Sequence, residues 1–195
     1  WTIGSRLYTQ GTSYEITDDA TAVATWTPIE YNITYNNVEG ATNPNPAKYT
    51  IEQTVTLEPA VLAGYDFEGW YLDAQFTDKI TQISAGSHED KALYAKWTAH
   101  QYTITLNANG GSADGSVTVT YDSKTTTAFS APTRDNYIIE GFYAEQGCTT
   151  KVMNADGSLC TSVENYTDAS GNWKNTTCTT LYTNWTEKPK VDALI

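Results

Sequence analysis

A ten-residue pattern that occurs twice constrains the fold of this chain more than any other feature. The stretch "GYDFEGWYLD" occupies residues 64–73, and "NYIIEGFYAE" occupies residues 136–145 with the same Gly-aromatic-Tyr centre. Active-site motifs seldom occur twice in one short chain, whereas structural motifs recur whenever a small domain is duplicated. The repetition therefore predicts two copies of one small domain within 195 residues.

An alternating strand precedes each copy of the pattern. The sequences "YNITY" at residues 31–35 and "YTITL" at residues 102–106 place apolar and polar side chains on opposite faces. Segments rich in Gly, Asn, Asp or Pro follow both strands, and a second alternating run then leads to the pattern. Each copy is therefore expected to begin with two strands joined by a turn.

A strand that ends in Trp-Thr closes each copy. The sequences "ALYAKWT" at residues 92–98 and "TLYTNWT" at residues 180–186 alternate in the manner of half-buried strands. Together with the opening strands they define the two units. We predict a first repeat at residues 31–98 and a second repeat at residues 102–186.

The spacing of these elements locates an insertion in the second repeat. Gly69 and Gly141 are 72 positions apart, but Trp97 and Trp185 are 88 positions apart. The second repeat has therefore gained about sixteen residues after the shared pattern. We place this insertion at about residues 144–178, which contain all three cysteines.

The two ends of the chain are assigned by the same comparison. Residues 1–28 contain "ATAVATWT" and are predicted to be the C-terminal part of a preceding repeat, with Trp26 as its closing tryptophan. Residues 187–195 follow the last closing strand and are predicted to be a tail or linker.

Composition favours strands and excludes two classes of partner. Thr, Tyr and Trp are abundant and Met occurs once, which favours β-structure by side-chain shape. The net charge of −12 repels phosphate backbones and anionic lipid, and no apolar run of 18 residues occurs. We expect a secreted or cell-surface segment that binds no nucleic acid and does not insert into a membrane.

The recurring elements resemble one known family. An opening Tyr-x-Ile-Thr-Tyr strand, a Gly-Tyr-x-Phe-x-Gly-Trp-Tyr centre and a closing Leu-Tyr-Ala-x-Trp-Thr strand are similar to the Listeria/Bacteroides repeat, also called the internalin-type B-repeat. The resemblance implies an α+β, mostly β fold of tandem β-grasp-like (ubiquitin-like) repeats on bacterial cell-surface proteins. It also implies display, spacing or adhesion without catalysis. The second repeat departs from the pattern at Asn136 and Phe142, which replace Gly64 and Trp70, and by its insertion.

The recurring aromatic and glycine residues are interpreted as the core of each unit. Large rings in the pattern supply apolar volume, and the central glycine allows a bulge or close backbone approach beside the ring. The predicted core residues are Tyr65, Phe67, Gly69, Trp70, Trp97, Tyr137, Gly141, Phe142, Trp185 and Trp26.

The titratable residues do not form a recognisable catalytic site. Glu68 with Asp73, and Glu140 with Glu145, flank the two patterns at spacings that a glycosidase could use, but acidic residues on the solvent face of strands explain them better. The two histidines, His88 and His100, are expected to be solvated, because no cysteine or histidine lies at metal-ligand spacing. We predict no catalytic residue, no metal site, no cofactor and no enzyme activity.

The three cysteines permit one internal disulfide. A bridge from Cys148 to Cys160 or to Cys178 would restrain the insertion and contribute about 2–4 kcal/mol to stability. In the alternative, all three remain reduced and act as small apolar fillers. The sequence leaves both alternatives open.

Tyr94 and Tyr182 are the candidate ligand contacts. Each points away from the tryptophan of its own strand and offers a planar face on which a sugar can stack, although packing beneath a loop is the alternative. The predicted function is a non-catalytic spacer, stalk or adhesion module, and the alternative is a carbohydrate-binding module. The expected partners are a host or neighbouring-cell surface protein or glycan and the adjoining repeats of the same parent chain.

Overall fold

A computed structural model describes residues 2–3, 6–7, 9, 11, 13, 15, 19 and 21–189. These residues form strands, turns and connecting segments, and no helix occurs among them. Three short strands precede the first repeat and pair in the order β2-β1-β3. They are β1 (Thr2–Ile3), β2 (Arg6–Leu7) and β3 (Ala22–Val23).

The first repeat is built on a five-stranded mixed sheet. Its strands are β4 (Glu30–Asn36), β5 (Lys48–Thr50), β6 (Val55–Thr56), β7 (Tyr65–Tyr71), β8 (Lys79–Ile80), β9 (Gln82–Ile83) and β10 (Lys91–Ala99). The sheet order is β5-β4-β10-β7-β8, and β6 pairs with β9 in a separate ribbon. The opening strand β4 and the closing strand β10 are parallel and lie at the centre, while the other pairs are antiparallel.

The second repeat has the same arrangement with one more edge strand. Its strands are β11 (Gln101–Asn107), β12 (Gly115–Thr120), β13 (Thr126–Ser130), β14 (Tyr137–Tyr143), β15 (Lys151–Asn154) and β16 (Thr180–Glu187). The sheet order is β13-β12-β11-β16-β14-β15, again with a parallel central pair, β11 and β16. The mostly-β prediction is therefore confirmed, whereas the described residues show no helix of an α+β fold.

Each repeat has its own hydrophobic core. Trp70 is 1% exposed and Leu93 is fully buried in the first core, and Phe142 and Trp173 are fully buried in the second. Burying one such side chain stabilises a fold by about 1.5–3 kcal/mol. Strand alternation explains most of the two cores, but Trp173 comes from the insertion and closes the second core from outside the sheet.

The exchange of Trp70 for Phe142 changes how the core ring is held. The indole nitrogen of Trp70 donates to the backbone oxygen of Glu58 at 2.9 Å. Phe142 has no donor, and Phe129 packs against it edge-on instead, with ring centroids 5.8 Å apart. The ring of the second repeat is therefore held by packing alone, without the hydrogen bond that fixes Trp70.

Glycine at the centre of each pattern leaves room for a lysine. A Cβ atom on Gly69 would lie 2.4 Å from Cε of Lys79, and one on Gly141 would lie 2.4 Å from Cε of Lys151. Both glycines are buried at a register shift in the sheet. The lysine stems cross the strand where a side chain would otherwise stand, a contact that recurs in both repeats.

The expected core position of Trp26 is wrong, because this side chain is 84% exposed. It lies beyond β3, which pairs with β1 for only two residues, so no sheet covers the ring. The predicted extent of a preceding repeat falls largely on residues 1–20, many of which lie outside the described residues. In the predicted tail, residues 190–195 lie outside the described part as well.

Candidate functional site

The strongest constellation of interacting side chains lies at the joint between the two repeats. A single residue, His100, separates β10 from β11. Its backbone N–H donates to the oxygen of Gly64 at 2.9 Å, and its own oxygen accepts from the N–H of Tyr121 at 2.9 Å. The linker residue is therefore hydrogen-bonded to both repeats.

Two tyrosine rings pack across this joint. Tyr65 of the first repeat and Tyr121 of the second meet edge to face, with centroids 5.4 Å apart and an interplanar angle of 78°. Gly64 makes this contact possible, because a Cβ atom there would lie 2.5 Å from the Tyr121 ring. Its φ of +82° is a second reason for glycine at this position.

An ion pair and a phenol complete the joint. The Tyr65 hydroxyl donates to Oδ2 of Asp122 at 2.9 Å, and the Lys174 ammonium donates to Oδ1 of the same carboxylate. Lys174 also lies 5.4 Å from the Tyr121 ring centroid and 3.8 Å from a carboxylate oxygen of Asp168. One carboxylate thus links the first repeat to the insertion of the second.

The charges at the joint are fixed by these contacts. Hydrogen bonds from Lys174 and Tyr65 lower the pKa of Asp122, and the bond to Asp122 raises the pKa of Lys174. Burial, together with the bond to Asp122, raises the pKa of Tyr65 to about 12. At neutral pH the carboxylate and ammonium are therefore charged, and the phenol keeps its proton.

His100 does not match its expected solvated state. Its Nε2 lies 2.8 Å from Oδ1 of Asp66, and its Nδ1 lies 3.2 Å from the hydroxyl of Tyr102. The ring therefore contacts side chains from both repeats and is half-buried. His88 is exposed, in agreement with the expectation for that residue.

The insertion supports the part of the second repeat that meets the first. The N–H of Asp122 donates to the oxygen of Trp173 at 2.8 Å, and the N–H of Trp173 donates to the oxygen of Ser123 at 2.9 Å. Because Trp173 is fully buried in the second core, these bonds hold residues 121–123 against a rigid support. Sequence reasoning missed the joint, although the short linker and the replacement of Gly64 by Asn136 were visible signals.

Three of the predicted core residues of the two patterns are only half-buried. Tyr65 and Tyr137 are half-buried, and each donates its hydroxyl to a carboxylate, Asp122 and Glu187 respectively. Phe67 is half-buried between Trp70 and Trp97, with ring centroids 5.2 and 5.1 Å away. These three rings therefore lie at the boundary between the buried core and the surface.

Two of the acidic residues that flank the patterns hold loops. Asp73 accepts from the backbone N–H of Asp78 at 2.8 Å, and Glu145 accepts from the backbone N–H of Thr150 at 3.0 Å. The Asp78 N–H lowers the pKa of Asp73, and the Thr149 hydroxyl, with the groups of Thr150, lowers the pKa of Glu145. Both carboxylates therefore hold the loop that follows their own pattern.

The three cysteines are free thiols in separate surroundings. Cys148 contacts the Thr183 oxygen, Cys160 contacts Oδ1 of Asn154, and Cys178 contacts the Thr180 oxygen. Burial raises the pKa of each thiol. The candidate disulfide is not present in this structure.

Tyr94 and Tyr182 occupy equivalent positions in different sheets. Tyr94 lies beside Tyr71 in the sheet register, and Tyr182 lies beside Tyr143. Both candidate contacts are half-buried, and their neighbours Tyr71 and Tyr143 are buried. The structure therefore does not bring Tyr94 and Tyr182 together on one platform.

Within the described part of the chain, no group of three His, Cys, Asp or Glu residues could hold a metal ion. Residues 21–189 and the few described before them contain no helix long and apolar enough to cross a membrane.

Comparison with known proteins agrees with the duplicated architecture. Residues 31–96 and 102–167 match the model of the Listeria-Bacteroides repeat domain. A putative membrane protein of Evansella cellulosilytica is 29% identical over 72% of this chain and 21% of its own length. A putative Gly-rich membrane protein of the same organism is 28% identical over 73% of this chain and 17% of its own length. No solved structure matches the chain significantly.

Proposed function

This chain belongs to the Listeria-Bacteroides repeat domain family, and we propose that it is a stiff, non-catalytic spacer in a secreted or cell-surface bacterial protein. The observation that carries this proposal is the joint, in which His100 is bonded to both repeats and Tyr65 meets Tyr121 and Asp122. A stalk transmits direction only when its units cannot turn freely against one another. The contacts at this joint supply that property.

The free energies of the contacts at the joint, compared with the entropy cost of ordering it, support a fixed joint. Ordering one linker residue costs about 1–2 kcal/mol of backbone entropy. Each hydrogen bond contributes about 0.5–1.5 kcal/mol, and an aromatic pair contributes a similar amount. Two linker bonds, the Tyr65–Tyr121 pair and the Tyr65–Asp122 bond together exceed the cost of ordering His100.

The fold proposed for each unit is a β-grasp-like repeat without its helix. The sheet order places the first and last strands of each unit side by side and parallel at the centre, with antiparallel strands outside them. Residues 51–64 connect β5 to β7 in the first unit by turns and the short strand β6. This extended connection takes the place of a crossover helix.

The surface location is supported by charge and by relatives. Two similar Evansella proteins are named as membrane proteins, and this chain spans about a fifth of their length. A net charge of −12 keeps neighbouring copies apart by repulsion and keeps the segment away from anionic lipid. In this proposal the repeats hold another part of the parent protein at a distance from the cell.

Small-angle X-ray scattering of the full chain at low and high salt tests the spacer function. We expect both scattering curves to be fitted by a single arrangement of the two repeats, the one that residues 21–189 have in the structure. A profile that requires a broad set of bent arrangements at either salt concentration would contradict a stiff spacer.

Adhesion is the second candidate function, supported by the partial exposure of Tyr94 and Tyr182. In this alternative one face of each sheet contacts a glycan or a protein on a host or neighbouring cell. Saturable binding on a glycan and matrix array, lost when Tyr94→Ala and Tyr182→Ala are combined in a protein that still folds, would establish it. Absence of binding by folded protein would leave the spacer function alone.

A further inference from the structure

The distal end of the second repeat reproduces the backbone framework of the joint surface on the first. The N–H of Lys188 donates to the oxygen of Asn136 at 2.8 Å, as His100 does to Gly64 at 2.9 Å. Asn136 also keeps the left-handed conformation, with a φ of +64°. A groove of about 610 Å³ lies here, and its lining includes Arg134, Asn136, Tyr137, Trp185 and Lys188.

Side-chain differences distinguish this surface from the one that receives the second repeat. Asn136 places a Cβ atom at the position where, on Gly64, such an atom would lie 2.5 Å from the Tyr121 ring. The Tyr137 hydroxyl, which corresponds to the Asp122 donor Tyr65, already donates to Glu187 at 3.2 Å. A following repeat that carries an aromatic-acidic corner, meaning a turn like Tyr121–Asp122, would therefore clash with Asn136. It would also find the Tyr137 hydroxyl already donating to Glu187.

The first repeat has a turn that corresponds to the Tyr121–Asp122 turn of the second repeat but carries different side chains. The turn bond from Gln53 N–H to the Thr50 oxygen, at 3.1 Å, matches the bond from Ser123 N–H to the Thr120 oxygen, at 3.2 Å. Ile51 therefore stands where Tyr121 stands in the second repeat, and Glu52 stands where Asp122 stands. Ile51 is 45% exposed.

The two surfaces complement each other in polarity and charge. Ile138 replaces Asp66 on the distal surface and is 48% exposed, so an aliphatic corner residue has an apolar partner there. Arg134 stacks on the Tyr137 ring, with its Cζ atom 3.8 Å from the centroid. Arg134 and Lys188 line the groove together with one carboxylate, Asp135, which leaves one more cation than anions for an acidic residue at the Glu52 position.

We propose that the distal surface of the second repeat, formed by Arg134, Asn136, Tyr137, Ile138 and Lys188, docks a following repeat with an aliphatic-acidic corner like Ile51–Glu52. The same surface rejects an aromatic-acidic corner like Tyr121–Asp122. The residue at the Gly64 position thus determines which type of repeat follows in an array. This inference rests on the proposed function, in which successive repeats meet through fixed joints.

Two in-register fusions test this specificity. Glu30 pairs with Thr50 as Gln101 pairs with Thr120, so residues 1–188 can be continued by residues 30–100 or by residues 101–189. Residual dipolar couplings then give an alignment tensor for each repeat. We expect the tensors of the second and third repeats to coincide in the fusion with residues 30–100 and to differ in the fusion with residues 101–189.

Asn136→Gly in the second fusion is the matched test of the steric cause. We expect this change to bring the third tensor closer to the second. The inference would be overturned if the two fusions behaved equally, or if the second and third repeats were fixed to each other only in the fusion with residues 101–189. The joint at His100 is the internal standard, because a loose joint there overturns the proposed function as well, whereas a fixed one confines the failure to the distal surface.

Discussion

The indole nitrogen of Trp97 donates to the backbone oxygen of Asn37 at 2.8 Å, and this bond gives the tryptophan of the closing strand a structural role. Asn37 directly follows the opening strand β4, so the bond ties the closing strand to the first turn of its own repeat. Trp185 makes the equivalent bond to the oxygen of Ala108 at 2.8 Å. Both closing tryptophans are half-buried, and each hydrogen-bonds the closing strand to the residue that follows the opening strand of its repeat.

Replacing Trp97 by phenylalanine removes this donor while keeping a large ring. We expect Trp97→Phe to lower the free energy of unfolding of the first repeat by about 1–3 kcal/mol, because the Asn37 oxygen loses its partner and the smaller ring packs less fully. Chemical denaturation followed by amide signals of the first repeat measures the change. Trp26→Phe is the matched control, since an 84% exposed side chain should change stability by less than about 0.5 kcal/mol.

Gly69→Ala tests the lysine crossing. Its φ of +141° is unfavourable for alanine, and the added Cβ would lie 2.4 Å from Cε of Lys79. We expect a loss of about 2–4 kcal/mol in the free energy of unfolding from strain and displacement of the lysine. Gly86→Ala, with a φ of +89° and no atom within 4 Å of its Cβ, should cost only about 1 kcal/mol. Equal losses in the two variants would show that the Lys79 contact contributes nothing.

The sequence predicted the strands well and the joint poorly, for a physical reason. Period-two alternation identifies β4 and β10 directly, because each has one face against a core. The joint depends on Tyr65 meeting Asp122, residues that lie in different repeats and have no periodic relation. Trp173 was equally hard to place, because a loop residue has no strand register to show whether it is buried.

Acid should weaken the joint through Asp122. Its folded-state pKa is lowered, first by Lys174, so its contribution to stability is complete above the unfolded pKa of about 3.9 and is lost as pH falls through the folded value. We expect Asp122→Asn to be less stable than the wild type at pH 7. The difference between the two proteins should shrink as the pH falls from about 4 towards 2. A stability difference that stays constant across denaturation curves at pH 7, 4, 3 and 2 would contradict this role.

The native thiols should react slowly with alkylating agents. Burial raises the pKa of Cys178, Cys148 and Cys160, which lowers the fraction of reactive thiolate at pH 8. Mass spectrometry after iodoacetamide treatment should show little modification of folded protein and three modified cysteines after unfolding without reductant. A single modified cysteine after unfolding would instead reveal an internal disulfide.

The most direct test of the fixed joint is to measure residual dipolar couplings of the wild-type chain, Gly64→Asn and Gly86→Asn. Asparagine tolerates a positive φ at both sites, so only the contact with Tyr121 distinguishes them. We predict one common alignment tensor for the two repeats in the wild type and in Gly86→Asn, and two different tensors in Gly64→Asn. Different tensors in the wild type, or a common tensor in Gly64→Asn, would contradict a joint fixed by the contact of Gly64 with Tyr121.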